Sequence, residues 1–357
     1  MDVIASQKFT NIVGQTNNRR KQEHLSIALN NDVSFKGVST GLENYYFVHQ
    51  ALPEIDLVSV DTSARLFGKR LNAPLVISPM VGGIKAAAYI NRNLAQAAQA
   101  LGLAMGVGSQ RCFIEDPGTA QTYQVREVAP DILLFANLGT VQLNYGYGVD
   151  ECRRAIEVIG ADALILHLNP LQEALQPRGN TNFAGLLTKI EQVCIKLPVP
   201  VIVREVGCGI SGKVAHELAE AGVAGIDVAG AGGTSWSEIE RRRAPSERTN
   251  RIAATFASWG IPTAESIEMV RRGAPKLTLI ASGGIRTGVD VAKVIALGAD
   301  AAGIAAPLLK AANISVETVM VTLQEVIEEL RISMFCIGAA SLRDLKHSPF
   351  LKRRRRN

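Results

Sequence analysis

The sequence predicts a (β/α)8 barrel, and three observations carry that prediction. Eight short apolar runs recur along the chain, amphipathic helical stretches separate them, and Ala, Val, Ile, Leu and Gly dominate while aromatics are only 5%. Parallel strands buried on both faces and covered by helices have this composition. Closure of eight βα repeats into a barrel leaves no unpaired sheet edge, which disfavours an open doubly wound sheet.

The elements follow in order. Residues 1–73 form an extension ahead of the barrel, which spans 74–346. The first four strands lie in 74–80 (PLVISPM), 103–109 (LAMGVGS), 131–139 (DILLFANLG) and 161–169 (ADALILHLN). The others lie in 199–207 (VPVIVREVG), 224–230 (AGIDVAG), 276–284 (KLTLIASGG) and 299–307 (ADAAGIAAP). Between them, stretches such as NRNLAQAAQALG, CRRAIEVIGA, KVAHELAEAG and VDVAKVIALG repeat apolar residues at three- and four-residue steps, the helical period. Gly102, Gly160, Gly222 and Gly298 stand where left-handed helix caps belong. Residues 311–346 read as a terminal helical region and 347–357 as a basic tail.

Charge argues against a nucleic-acid partner. The net charge is +5, and Lys352, Arg353, Arg354, Arg355 and Arg356 alone supply that excess. The rest is balanced, so no basic face is expected, and the tail reads as frayed and solvated. The cysteines at 112, 152, 194, 208 and 336 are odd in number and lack paired metal spacing, which predicts free thiols. The N-terminus MDVIASQKFTNIVGQ has no long apolar run, and no stretch reaches membrane-spanning length. A soluble cytoplasmic protein without a membrane partner is expected.

In a βα barrel the reactive face lies at the C-terminal ends of the strands. There this chain carries Met80 and Val81, Ser109 and Arg111, Asn137, His167 and Asn169, Arg204, Thr234, Gly283, Gly284 and Arg286, and Ala305 and Ala306. So many polar groups at buried strand ends call for a ligand to pair them. Ser282-Gly283-Gly284-Ile285-Arg286 before a helix offers backbone N–H groups and a cation to a phosphate. The small residues of strand eight let backbone approach the same anion, and Thr234 adds a hydroxyl from the loop after strand six. Glycines that merely permit tight turns are the competing reading.

After strand four, Asn169, Gln172 and Glu173 share one short loop. A carboxylate among amides suits Mg²⁺ bridging a polyphosphate, and a solvated helix-start Glu stands equally open. The cluster Arg19-Arg20-Lys21-Gln22-Glu23-His24 has the chemistry to hold a diphosphate, although such a run by itself is more often a solvated face.

The motifs RKQEHL, SPMVGG, GVGSQR, FANLG, HLNPLQEA, DVAGAGGTSW, WGIPTAES and SGGIRTG together resemble those of type 2 isopentenyl diphosphate isomerase. The resemblance runs from about Arg20 to about Leu345, and DILLFANLGTVQLNYGYG is similar to the cyanobacterial branch. It implies conversion of isopentenyl diphosphate to dimethylallyl diphosphate with reduced FMN, Mg²⁺, and NADPH or another donor as reductant. It also implies a homo-oligomer, tetramer or octamer.

Carried over, FMN contacts fall on Met80, Ser109, Asn137, Thr234, Gly283, Gly284, Arg286, Ala305 and Ala306. Substrate contacts fall on Arg20, Lys21, His24, Arg111, Asn169 and Gln172, and the metal on Glu173. Three flavin-side positions depart from the family: Arg204 replaces its lysine, Val81 its threonine and Ala229 a common serine. Gln172 and Arg204 are the expected catalytic groups. Two other readings compete: an FMN oxidoreductase of the hydroxy-acid-oxidase type, with His167 as its base, and a non-catalytic paralogue that binds FMN or isoprenoid diphosphate.

Overall fold

A computed structural model of the chain describes residues 18–346 and 348–354, so the expectations placed on 1–17 and on Arg355 and Arg356 lie outside the described residues. Eight parallel strands close into the expected barrel. They are β1 (Leu75–Ile77), β2 (Ala104–Gly106), β3 (Leu134–Gly139), β4 (Ala163–Leu168), β5 (Val201–Glu205), β6 (Gly225–Asp227), β7 (Thr278–Ala281) and β8 (Ala301–Ile304). Each pairs with the next, and β8 pairs back onto β1. Every one lies inside its apolar run. Gly102, Gly160, Gly222 and Gly298 all have positive φ at the helix ends, as the capping pattern demands.

Two cores result. The larger lies between the strands and the surrounding helices. The smaller fills the barrel interior with Val76, Ala104, Phe135, Ile165, Ile202, Ile280 and their neighbours. The bottom of a barrel would expose this inner core to water, and the extension covers it. An antiparallel hairpin, Ala64–Leu66 with Lys69–Leu71, sends Leu66 and Leu71 into the inner core and sets Phe67 edge-on against Phe135. Phe67 occupies the hairpin turn at φ 45°, a costly conformation for an aromatic residue. Burying apolar surface at the barrel's open end compensates that cost.

The tail departs from expectation. Leu351–Arg353 is not frayed; it pairs antiparallel with Tyr45–Phe47. The guanidinium of Arg353 lies over the ring of Tyr45 and that of Arg354 over Tyr46. Backbone pairing and cation–π attraction together give this basic segment a reason to order. All five cysteines are free, as their spacing predicts.

Candidate active site

At the top of the barrel, strand register aligns one layer of polar side chains. His167 on β4 stands beside Arg204 on β5, which stands beside Asp227 on β6. Asn137 on β3 donates its amide to the Val107 carbonyl, which turns its oxygen toward His167 Nδ1 at 2.8 Å. His167 Nδ1 therefore donates, and Nε2 is left as the basic nitrogen. Burial, with the charges of Arg204 and Lys21, pulls its pKa down to about 3, so the ring is neutral. Arg204 is 8% exposed. Its Nε donates to the Glu205 carbonyl, while its Nη1 stands 3.4 Å from Asp227 Oδ2 and has no hydrogen-bond partner.

Above this layer opens a cavity of about 240 Å³. Met80, Val81, Ser109, Asn137, Arg204, Thr234, Ala305 and Ala306 form its floor and one wall. Arg20, Lys21, His24, Arg111, Asn169, Gln172 and Glu173 form the other. Residues more than 280 apart in sequence thus meet on one face, as the strand-end rule requires.

The basic cluster divides by role once folded. A helix over residues 18–30 lies across the mouth. Arg20 has no ion pair or hydrogen bond among the described residues, and burial together with the nearby Arg111 charge lowers its pKa. Two guanidinium groups pointed at one space make a trap for an anion. Arg111 is already held by Glu115 and donates to Asn180 Oδ1 at 2.9 Å. His24 bonds to Glu240 at 2.9 Å and packs edge-on against Trp236.

Lys21 is held by protein groups. Its ammonium donates to the carbonyls of Gly82 (2.8 Å) and Ser109 (2.7 Å) and to the Tyr123 hydroxyl (3.0 Å). An ammonium has three donors, and all three are taken. Lys21 staples the helix to the loops after β1 and β2 and leaves no N–H for a diphosphate.

Glu173 is buried, not solvated. It accepts from Asn169 Nδ2 at 3.1 Å, from the Asn180 amide at 2.6 Å and from Gln176 Nε2 at 2.5 Å. Three donors fix the carboxylate at the cavity wall, and a carboxylate is the ligand type a hard cation prefers. No group of three or more His, Cys, Asp or Glu side chains gathers among the described residues. A cation here would take Glu173 as its protein carboxylate and complete its shell from ligand oxygens and water.

Ala229, Gly283, Gly284 and Arg286 do not line this cavity. Arg286 is exposed, and Ala229 is buried at φ 38°, its N–H directed at Asp227. The glycines are needed for close packing of the loops after β6 and β7. A Cβ on Gly233 would lie 2.4 Å from the Gly284 amide nitrogen, and one on Gly283 2.2 Å from the Gly230 carbonyl oxygen. Those turns adjoin Thr234 at the cavity edge, so a phosphate contact from them is neither built nor blocked by these distances.

Several wall residues escaped the sequence reading. Gln142 lines the cavity and bonds to Asn180, whose amide also binds Glu173, so Asn180 joins three loops. Asp227, Tyr123 and Gln176 also matter only once folded. A buried Asp inside an apolar strand run was the one signal that could have been read.

The FMN-dependent dehydrogenase family model matches residues 15–125 and 172–352. The chain is 57% identical over 335 residues to an isopentenyl-diphosphate delta-isomerase of a Nostoc species, covering 94% of this chain and 95% of that protein. It is 54% identical to one from a Synechocystis species, covering 94% and 96%, and 52% identical to one from Stutzerimonas stutzeri, covering 93% and 96%. Solved structures of similar shape include mandelate oxidase with (S)-2-phenylpropionate, at TM-score 0.63, 18% identity and 96% and 98% coverage. Another is a putative lactate oxidase of Pediococcus acidilactici, at TM-score 0.65, 18% identity and 97% and 95% coverage. At that identity the oxidases share the fold alone.

Proposed function

This chain belongs to the isopentenyl-diphosphate delta-isomerase family, within the FMN-dependent dehydrogenase group, and from that premise we propose how its cavity works. The chain is an FMN-dependent isomerase of isoprenoid synthesis that converts isopentenyl diphosphate to dimethylallyl diphosphate. The reaction adds one proton to the substrate's allyl unit and removes another, with no net electron transfer.

The observation that carries the substrate side is the unpartnered Arg20 beside Arg111 at the mouth of the cavity. Together they would meet a diphosphate, and Glu173 would be the protein carboxylate that holds a Mg²⁺ beside it. Asn169 Oδ1, buried and without a partner, points to a further contact from the ligand or its bound water. The apolar part of the wall, with Leu25, Ala28, Ile239 and Trp236, fits the isoprenoid carbons and keeps water from a cationic intermediate. Gln172 accepts from Asn169 at 3.0 Å, which fixes its amide at the cavity wall for orienting the substrate.

The cofactor side also fits. A flavin needs a broad slot, donors for its ring and an anion site for its phosphate. Met80, Val81, Ser109, Asn137 and Arg204 supply the slot and the donors, and the unpaired Arg204 Nη1 is a buried N–H awaiting an acceptor. Thr234, Ala305 and Ala306 border the phosphate end, and the adjoining Ala229, Gly283, Gly284 and Arg286 belong to its supporting turns. Reduced FMN, when bound, supplies the acid–base group that the protein wall lacks. NADPH as reductant and a tetramer or octamer rest on the family resemblance, and a cytoplasmic setting on the odd number and unpaired spacing of the cysteines.

The test is a binding titration with isopentenyl diphosphate, isopentenyl monophosphate and isopentenol, with Mg²⁺ present. Affinity should fall in that order, and Arg20→Met should abolish the advantage of the diphosphate. Equal affinities for all three would remove the substrate assignment.

A further inference from the structure

Arg204 has two fixed neighbours. Its Nε donates to the Glu205 carbonyl at 3.1 Å, and its Nη1 faces Asp227 Oδ2 at 3.4 Å. The planar guanidinium faces both, each through a different nitrogen. Asp227 is 2% exposed and equally constrained. Its Oδ1 accepts from the Ser282 hydroxyl at 2.6 Å and from the Ala229 amide at 3.3 Å, which leaves Oδ2 for the guanidinium. The carboxylate is therefore anchored to the first residues of both glycine turns and cannot swing away. At the same time Arg204 lines the cavity, where its Nη1 has no hydrogen-bond partner.

We propose that Asp227 is the positioning residue that tunes Arg204, holding its guanidinium against β6 and cancelling much of its charge. The pair then offers the cofactor an N–H donor at the cavity floor without the full field of a lone cation. The inference rests on the reading of this cavity as an FMN site. Its consequence is electrical. A fixed positive charge favours the anionic reduced flavin over the neutral oxidised form, and a neighbouring carboxylate opposes that preference.

The experiment measures FMN affinity in both redox states for the holoenzyme and its variants, with the midpoint potential from dye equilibration. Asp227→Asn keeps the shape and the Ser282 contact but removes the charge. It should raise the preference for reduced over oxidised FMN about tenfold, which is a potential about 30 mV more positive for a two-electron couple. Arg204→Met should move the preference about as far the other way. The double variant should return close to the parent, because the charges are removed together. Ser282→Ala, a milder change, should shift the preference in the direction of Asp227→Asn but by less, since it loosens the carboxylate's anchor. If Asp227→Asn binds FMN and changes only thermal stability, or lowers the preference for reduced FMN, the tuning role is overturned. If the parent binds FMN in neither state, the cavity reading itself falls, and this inference with it.

Discussion

Lys21→Met separates a lysine that builds the site from one that binds the substrate. In the folded protein the Lys21 ammonium makes three hydrogen bonds at 2.7–3.0 Å. Each charge-assisted bond is worth about 1.5–3 kcal/mol, but burying the ammonium costs several kcal/mol, which the Met variant no longer incurs. Burial also lowers the Lys21 pKa, the direction that cost predicts. After substitution the Ser109 carbonyl keeps the Tyr123 hydroxyl at 2.8 Å, whereas the Gly82 carbonyl loses its ammonium donor. The net loss is then about 2 kcal/mol, mainly one stranded carbonyl. At about 1.3 °C per kcal/mol for a chain of this length this is a Tm lower by about 3 °C, read by calorimetry on ligand-free protein. Arg20→Met should leave that Tm nearly unchanged and instead weaken diphosphate binding, because Arg20 has no partner to lose. If Lys21→Met leaves Tm unchanged while diphosphate affinity collapses, Lys21 is a substrate ligand and its three bonds are incidental.

Further predictions follow from the same geometry. His167 is held neutral with a pKa of about 3 against an ordinary 6.5, so its stabilising contribution is complete above about pH 6.5 and is lost as pH falls toward 3. Relative to His167→Gln, the parent should lose about 1.4 kcal/mol per pH unit across that window in denaturant titrations. The comparison with the variant matters, because burial raises Glu205 to about 7 and gives the parent an opposing slope between about pH 5 and 7. Glu173→Gln should raise the Mg²⁺ concentration needed for half-maximal activity at least tenfold and leave FMN binding intact; an unchanged metal titration would remove Glu173 from the cation site. Phe67→Ala should cost about 2 kcal/mol, seen as a lower Tm, with KM for the substrate unaltered, because the ring closes the end of the barrel opposite the site.

The barrel was legible because its signals are local. Each strand announces itself as an apolar run, each helix by its period, and each cap by a glycine, so all eight strands fall inside their predicted windows. The clustering of the strand-end residues was legible because the fold forces strand ends together. Arg20, Arg111, Asn169, Gln172 and Glu173 do meet around one cavity. What stayed hidden depends on contacts between distant segments. The pairing of Tyr45 with Arg353 joins the N-terminal extension to the basic tail, and nothing near either residue marks it. The same is true of Lys21, whose partners lie 61, 88 and 102 residues away. A basic run shows that charge is present; only the fold shows which charges are already neutralised. The glycines after β6 and β7 suggested an anion turn; in the fold Gly233 and Gly283 press on the other turn's backbone, and Gly232 and Gly284 press on Thr40.

The measurement that tests the account most directly is single-turnover isomerisation under anaerobic conditions. Protein loaded with FMN and Mg²⁺ is reduced chemically, mixed with isopentenyl diphosphate in deuterated water, and followed by proton NMR. The account predicts dimethylallyl diphosphate carrying solvent deuterium, no net flavin oxidation during turnover, and no product when the flavin is left oxidised. Equal turnover with oxidised flavin, or flavin consumed in proportion to product, would contradict it.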